Sequence, residues 1–263
     1  FAIAPRLNAA GRLDDMSQGI ECLLTTSTQE AQIMAQALDE LNIERRHIEG
    51  DMQDQALAAL QALDWTEENL PSALVLFNSE WHQGVIGIVA SRCIENYFRP
   101  TVIFTLAKGT VAAGSARSVP GFDLYAAIEK CSHLLEQFGG HMHAAGMTIP
   151  VENIDAFRLA FDEVVKNTIT EEQQIPKINV DIKIDISEIT PKFYRIMKQM
   201  APFGPQNMQP IFVSENLKLA SDPRILKEKH LKLEILDADT GQIFSAIGFG
   251  MVDDFYKGLK AGN

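Results

Sequence analysis

The sequence predicts an α/β protein, and three features carry that prediction. Residues 27–64 hold a long run of helical periodicity with one apolar stripe. Residues 71–170 alternate apolar runs of strand length with helical segments, the pattern of a mixed-sheet α/β module. Residues 171–263 crowd short strand-like runs together, the pattern of a small β-barrel whose completeness is left open.

Taken in order, residues 1–16 read as a loop and turn. Arg12 directly follows Gly11 there, and its backbone is expected in an unusual conformation. The long helix starts after Ser27, which stands in capping-box spacing with Glu30. Met34, Leu38, Leu41, Ile48, Met52, Leu60 and Leu63 form its stripe. If continuous to Asp64 it is roughly 55 Å long, at about 1.5 Å per residue. Gly50 allows a bend. Asp39, Glu40, Glu44, Glu49, Asp51 and Asp54 read as its solvated face. After Pro71, strands are expected at residues 73–77, 102–106, 111–116 and 147–149, and helices at 85–97, 122–132 and 154–167. Residues 171–176 read as a polar linker. Residues 178–186 alternate strictly and predict a strand with one wet face. A short helix follows at 193–200, then a rigid loop from Pro202 to Pro210, then five strands between residues 211 and 249.

Composition narrows the function. Apolar content is 46%, enough for a core, and no apolar run approaches a membrane span, so a soluble protein with no membrane partner is expected. Cys22, Cys93 and Cys131 are odd in number and scattered, which fits a reducing cytoplasm. The chain opens on Phe1 with no leader pattern, and reads as a piece of a longer protein. Net charge is −12, and residues 1–70 alone carry 4 basic and 13 acidic residues. That sign disfavours loose nucleic-acid binding but leaves room for a local cationic pocket elsewhere.

The stretch Phe-Gly-Gly-His-Met-His-Ala-Ala-Gly at residues 138–146 suits an anion, since its glycines let the backbone approach closely and His141 follows them. Three other places pair glycine or small residues with a cation: Gly11-Arg12, Gly84 to Arg92, and Gly114-Ser115-Ala116-Arg117. If the sheet gathers them, the result is a cationic pocket suited to phosphate. The plain alternative is that each arginine pairs with a nearby carboxylate. His141 and His143 lack carboxylates at ligand spacing and His82 is distant, so no metal site is expected.

Four stretches, NAAGRLDD, WHQGVIGIVASR, GSARSVPGFDL and FGGHMHAAG, in this order, closely resemble the DHH phosphoesterases, and among them the bacterial single-strand-specific exonucleases of the RecJ type. The resemblance extends through PFGPQNMQPIFVSENL to the β-rich tail. It implies an N-terminal DHH domain that holds Mn2+ or Mg2+, then a long helix, a DHH-associated domain and an oligonucleotide-binding (OB) barrel. Residues 1–26 would end the first domain, 27–70 form the connecting helix, 71–170 the DHH-associated domain and 171–263 the OB-like domain. No Asp-His-His tripeptide occurs, so this chain is expected to bind no metal and to be inactive alone.

By the same resemblance, Arg12, Arg92, Ser115 and Arg117 would take the 5′ phosphate end and backbone of single-stranded DNA. Gly139, Gly140 and His141 would approach the phosphate beside the metal centre. Lys218, Arg224, Lys227, Lys229, His230 and Lys232 would bind the strand on the barrel; the alternative is a solvated face, because Asp222, Glu228 and Glu234 interleave. Single-strand-binding protein is the further partner implied. Two other functions stand beside a 5′→3′ exonuclease in recombination and repair: a phosphodiesterase of short oligonucleotides or cyclic dinucleotides, and a binding module without enzymatic activity.

Overall fold

The computed structural model describes residues 2–63, 65 and 70–260, which divide into two compact units, Phe1–Pro176 and Lys177–Asn263. Asp64, the expected end of the long helix, lies outside the described residues. The first unit opens with two helices, α1 (Ile3–Leu13) and α2 (Ser17–Leu24), where a loop was expected. Alanine, leucine and arginine favour helix, and Pro5 falls in the first turn, where proline is tolerated. Ala9 and Ala10 are fully buried. Arg12 therefore sits in regular helix, not in an unusual backbone conformation.

Helix α3 (Thr28–Gln61) is unbroken through Gly50. Ser27 Oγ accepts the Glu30 N–H at 3.3 Å, and the Glu30 carboxylate accepts the Thr25 hydroxyl at 2.8 Å instead of completing the box. Its acidic side is not all solvated. Glu49 is buried and paired with two arginines, because α4 packs over that turn.

The α/β module follows as β1 (Leu74–Phe77), α4 (Ile86–Tyr97), β2 (Thr101–Lys108), β3 (Val111–Arg117), α5 (Leu124–Lys130), β4 (Gln137–His141), β5 (Ala144–Pro150) and α6 (Ile154–Thr168). The sheet order is β1-β2-β3-β5-β4; β1 and β2 are parallel and the remaining pairs antiparallel. The order makes a mixed sheet between two helical layers. On one face, Met52, Ala56 and Leu60 of α3 and Val89 and Ala90 of α4 pack with Leu74, Leu76 and Ile103. On the other, Leu124 and Ile128 of α5 and Phe157 and Phe161 of α6 pack with Val102, Phe104, Met147 and Ile149. The Phe157 ring stacks on Phe161 and meets Phe104 edge-on, both at 5.5 Å. Each such buried side chain contributes about 1.5–3 kcal/mol. Gly114 belongs to this packing, since a Cβ there would strike the Phe104 ring. Cys93 is fully buried, and burial pushes its thiol up to about 11, so it stays protonated at neutral pH.

Residues 171–176, expected as a linker, stay with the first unit. Glu171–Gln174 form a 3-10 turn capped by Thr170, and Gln173 Nε2 donates to the Gly121 carbonyl at 2.7 Å. Among the described residues, no helix is long and apolar enough to cross a membrane.

The second unit holds β6 (Ile182–Lys183), α7 (Pro191–Gln199), β7 (Phe212–Val213), β8 (Leu217–Leu219), β9 (Arg224–Leu226), β10 (His230–Asp237), β11 (Ile243–Gly248) and α8 (Val252–Phe255). The nine-residue alternation at 178–186 yields only the two residues of β6, paired in parallel with β7. Ile178, Val180 and Ile182 stay exposed, while Ile184 and Ile186 further along the same side are buried. Antiparallel β11, β10 and β8 form one sheet, with β9 pairing the other end of β10. Among the described residues the strands do not close into a barrel.

Candidate nucleic-acid interface

The site in the first unit is built on three adjacent strands. Register places Arg117 opposite Ala144 and Ala144 opposite His141. One same-face step along, Ser115, Gly146 and Gly139 align, and beyond them Ala113, Thr148 and Gln137. Directly opposed residues share a face of an antiparallel sheet. This is the face that α4 packs against, and α4 leaves β5 and β4 uncovered there. A groove of about 380 Å³ remains between Ile86 and the exposed strands.

At the head of the groove two arginines meet. Arg12, at the end of α1, donates to the Gly84 carbonyl at 2.9 Å. Gly84 is required, because a Cβ there would run into the Arg12 backbone. Trp81 anchors the same loop by donating from Nε1 to Gln55 of α3 at 3.0 Å. Arg117 donates to Ser115 Oγ at 3.0 Å and to the Ala116 carbonyl at 2.8 Å. Its guanidinium lies on the first turn of α4. A Cβ on Gly87 would stand 2.5 Å from Arg117 Nη2 and 2.8 Å from Ser115 Oγ.

Electrostatics here are unbalanced. Burial first, and then the charge of Arg12, push the Arg117 guanidinium below its ordinary range. A helix N-terminus carries partial positive charge, so it too opposes a cation. Among the described residues neither Arg12 nor Arg117 pairs with a carboxylate. Three positive sources thus converge on one point, an arrangement that an anion relieves.

Arg92 stands apart from this pair, further along α4. Its Nε and Nη2 both donate to Glu49 Oε1 at 3.1 Å, and its Nη1 donates to Glu95. The carboxylates of Glu95 and then Glu49 hold its guanidinium above the ordinary range, against burial. Arg45 takes the other Glu49 oxygen. Here the carboxylate-paired alternative describes the geometry.

The glycine-histidine stretch forms a hairpin of β4 and β5, with Met142 and His143 at its turn. Sequence reading had no strand at β4, because glycine is a poor strand former. Gly140 has φ +152°, and a Cβ there would strike the Ala144 carbonyl and approach Ala145 Cα to 2.6 Å. His141 Nδ1 accepts the His143 backbone N–H at 3.2 Å. That bond leaves Nε2 of an exposed imidazole as its donor, suited to an anion oxygen.

The second unit presents a separate cationic face. Arg224 lies directly opposite Lys232, and Lys232 opposite Ile247. Lys218 lies opposite Leu236 on the same face. Like charges directly opposed destabilise a strand pair. Glu234 shares the face and accepts the Ser221 hydroxyl at 3.2 Å. Lys227 and Lys229 lie elsewhere, in the β9–β10 turn, where Lys227 and Glu228 take φ of +48° and +60°. The basic cluster therefore divides into a face and a hairpin tip. His230 closes the face: its Nδ1 accepts the Gly250 N–H at 2.9 Å, and its ring meets that of Phe249 at 5.3 Å. Phe249 is 74% exposed.

Residues 70–167 match the family of the DHHA1 domain, and residues 180–263 match the family of the RecJ OB domain. The Single-stranded-DNA-specific exonuclease RecJ of Bacillus subtilis (strain 168) is 36% identical over 268 residues, covering 100% of this chain and 33% of that protein. The chain belongs to the RecJ family. Crystal structures of RecJ from Thermus thermophilus, one in complex with Mg2+ and one with Mn2+, superpose with a TM-score of 0.76 at 26% identity. They cover 95% of this chain, which spans 42% and 40% of those chains. The chain spans less than half the length of the curated RecJ relatives it matches.

The metals of those RecJ structures find no matching donor set here. Among the described residues no group of three or more His, Cys, Asp or Glu side chains could hold a metal ion. What this RecJ chain presents is two groups of cationic side chains, one in each unit. Sequence reasoning missed the parts that Gly87, Glu49 and Phe249 play beside these cations. Gly87 offered a signal, since it lies in a glycine-bearing stretch at the start of a helix. Glu49 offered only the local half of its pairing, Arg45 four residues before it, and Phe249 offered none, because Arg92 and His230 are remote in sequence.

Proposed function

We propose that this chain is the strand-holding portion of a single-strand-specific DNA exonuclease that works from the 5′ end in recombination and repair. The observation that carries the reading is the half-buried, carboxylate-free pair of Arg12 and Arg117 at the N-terminal end of α4. Arg12, Ser115 and Arg117 take the terminal 5′ phosphate. Gly139, Gly140 and His141 face the next phosphate, with His141 donating from Nε2. Arg92 serves by tying α4 to α3. The relatives' printed name, Single-stranded-DNA-specific exonuclease, supports the substrate class. Hydrolysis in the whole protein is assigned to Mn2+ or Mg2+ held by residues other than those described here. The cytoplasm suits three unpaired thiols, and a protein that coats single strands is a fitting partner.

The direct test is binding of this chain to one oligonucleotide bearing either a 5′ phosphate or a 5′ hydroxyl. The phosphorylated strand should bind at least about tenfold more tightly, since hydrogen bonds to charged groups contribute about 1.5–3 kcal/mol. Equal affinity would remove the reading.

On the second unit the proposal assigns Lys218, Arg224 and Lys232 to strand phosphates along the face, and Lys227 and Lys229 to phosphates at the tip. Each phosphate neutralised on a single strand contributes about 0.7 to the slope of log K against log salt. Arg224→Gln with Lys232→Gln should therefore flatten the slope by about 1.4, and Lys227→Gln with Lys229→Gln by a similar amount. A slope unchanged by either double substitution would return that half of the cluster to plain solvated surface.

A further inference from the structure

We infer that the groove below the arginine pair seats the first nucleobase of the bound strand, an inference that rests on Arg117 holding the terminal phosphate. The register of β3, β5 and β4 grades the groove in three rows. The first has the Arg117 cation at one end and His141 at the other. The second holds Ser115, Gly146 and Gly139, and the third ends in Thr148 and Gln137. Same-face rows are about 7 Å apart along a strand. A sugar and base leaving the phosphate therefore cross the glycine row and reach the polar row.

The glycine row has no backbone reason to be glycine. Neither Gly139 nor Gly146 has positive φ. A Cβ on Gly139 would meet nothing within 4 Å, and one on Gly146 only the Gly114 carbonyl at 3.9 Å. Gly146 lies in an inner strand and is nevertheless exposed. Glycine weakens a strand interior and often marks the close approach of a ligand. The result is a flat floor with room for a planar group.

The end of the groove is neutral and polar. Gln137 and Thr148 share its last row, and Gln83 stands across from them on the loop before α4. Among the described residues, none of these three side chains makes a hydrogen bond within the protein. Amides and a hydroxyl beside the apolar edge of Ile86 match a nucleobase, which has apolar faces and a hydrogen-bonding rim. They do not match a second phosphate, because among the described residues no cation lines that end.

The test uses this chain with two small probes, 2-deoxyribose 5-phosphate and the deoxynucleoside 5′-monophosphates. The nucleotides should bind at least about fivefold more tightly, the equivalent of one net hydrogen bond of about 1 kcal/mol. Gly146→Val, which a strand accepts readily, should bring nucleotide affinity down to that of the sugar phosphate and leave the sugar phosphate unaffected. Gln137→Ala should change the ranking among the four bases. Equal binding of both probes by the unaltered chain, or full nucleotide affinity in Gly146→Val, would overturn the base seat and leave the phosphate assignment standing. Failure of both probes to bind would bring down both.

Discussion

Replacing Arg117 by alanine is expected to cut the preference for a 5′-phosphorylated strand by one to two orders of magnitude. Two charge-assisted hydrogen bonds from a planar fork are lost, each contributing about 1.5–3 kcal/mol, partly offset by Arg12 remaining in place. The same substitution should leave the first unit as stable as before, or slightly more stable. Arg117 is a cation held down by burial, by Arg12 and by the N-terminus of α4, with no carboxylate to offset them. A residue kept for packing behaves in the opposite way, losing stability when truncated. Arg117→Lys should recover little of the preference, because a lysine lacks the two-pronged donor geometry. Binding by competition and thermal unfolding on the same variants check both halves. An unchanged preference accompanied by a lower melting temperature would make Arg117 a structural residue.

How far such a site is legible in sequence depends on the range of its causes. Helix α3 was readable because its stripe and its Ser27 cap are local. Its polar face was misread at one residue, since Glu49 is covered by α4, whose Arg92 lies 43 positions on. Arg12, Arg92 and Arg117 look alike as cations near glycine. Only tertiary structure separates the two without carboxylates from the one with two. Helix α1 was hidden for a different reason. Pro5 and Gly11 are turn residues in isolation, but Pro5 occupies a first turn and buried Ala9 and Ala10 decide the rest. The alternation at 178–186 shows the reverse failure: a strand pattern needs a partner strand, and β7 supplies one for only two residues. The three rows of the groove were invisible until register aligned them, although every glycine in them was in view.

Glu49→Ala is expected to destabilise the first unit by about 2–3 kcal/mol. Removing one member of a buried ion pair costs about 3–5 kcal/mol, because the partner charge is left uncompensated. The lower figure applies here since Arg92 is 41% exposed and keeps Glu95, while Arg45, at 13%, bears most of the loss. For a unit of this size that corresponds to a fall of about 5–10 °C in melting temperature. Arg92→Ala should cost less, and should leave the 5′-phosphate preference intact, because its guanidinium is already engaged by two carboxylates. If Arg92 were instead a ligand of the strand end, Arg92→Ala would lose the preference at little cost in stability, and Glu49→Ala would strengthen binding by releasing the arginine. A double-mutant cycle on Glu49 and Arg92, read in both melting temperature and strand affinity, separates the two. Coupling in stability alone assigns Arg92 to holding α4 on α3, and so to fixing the helix turn on which Arg117 rests.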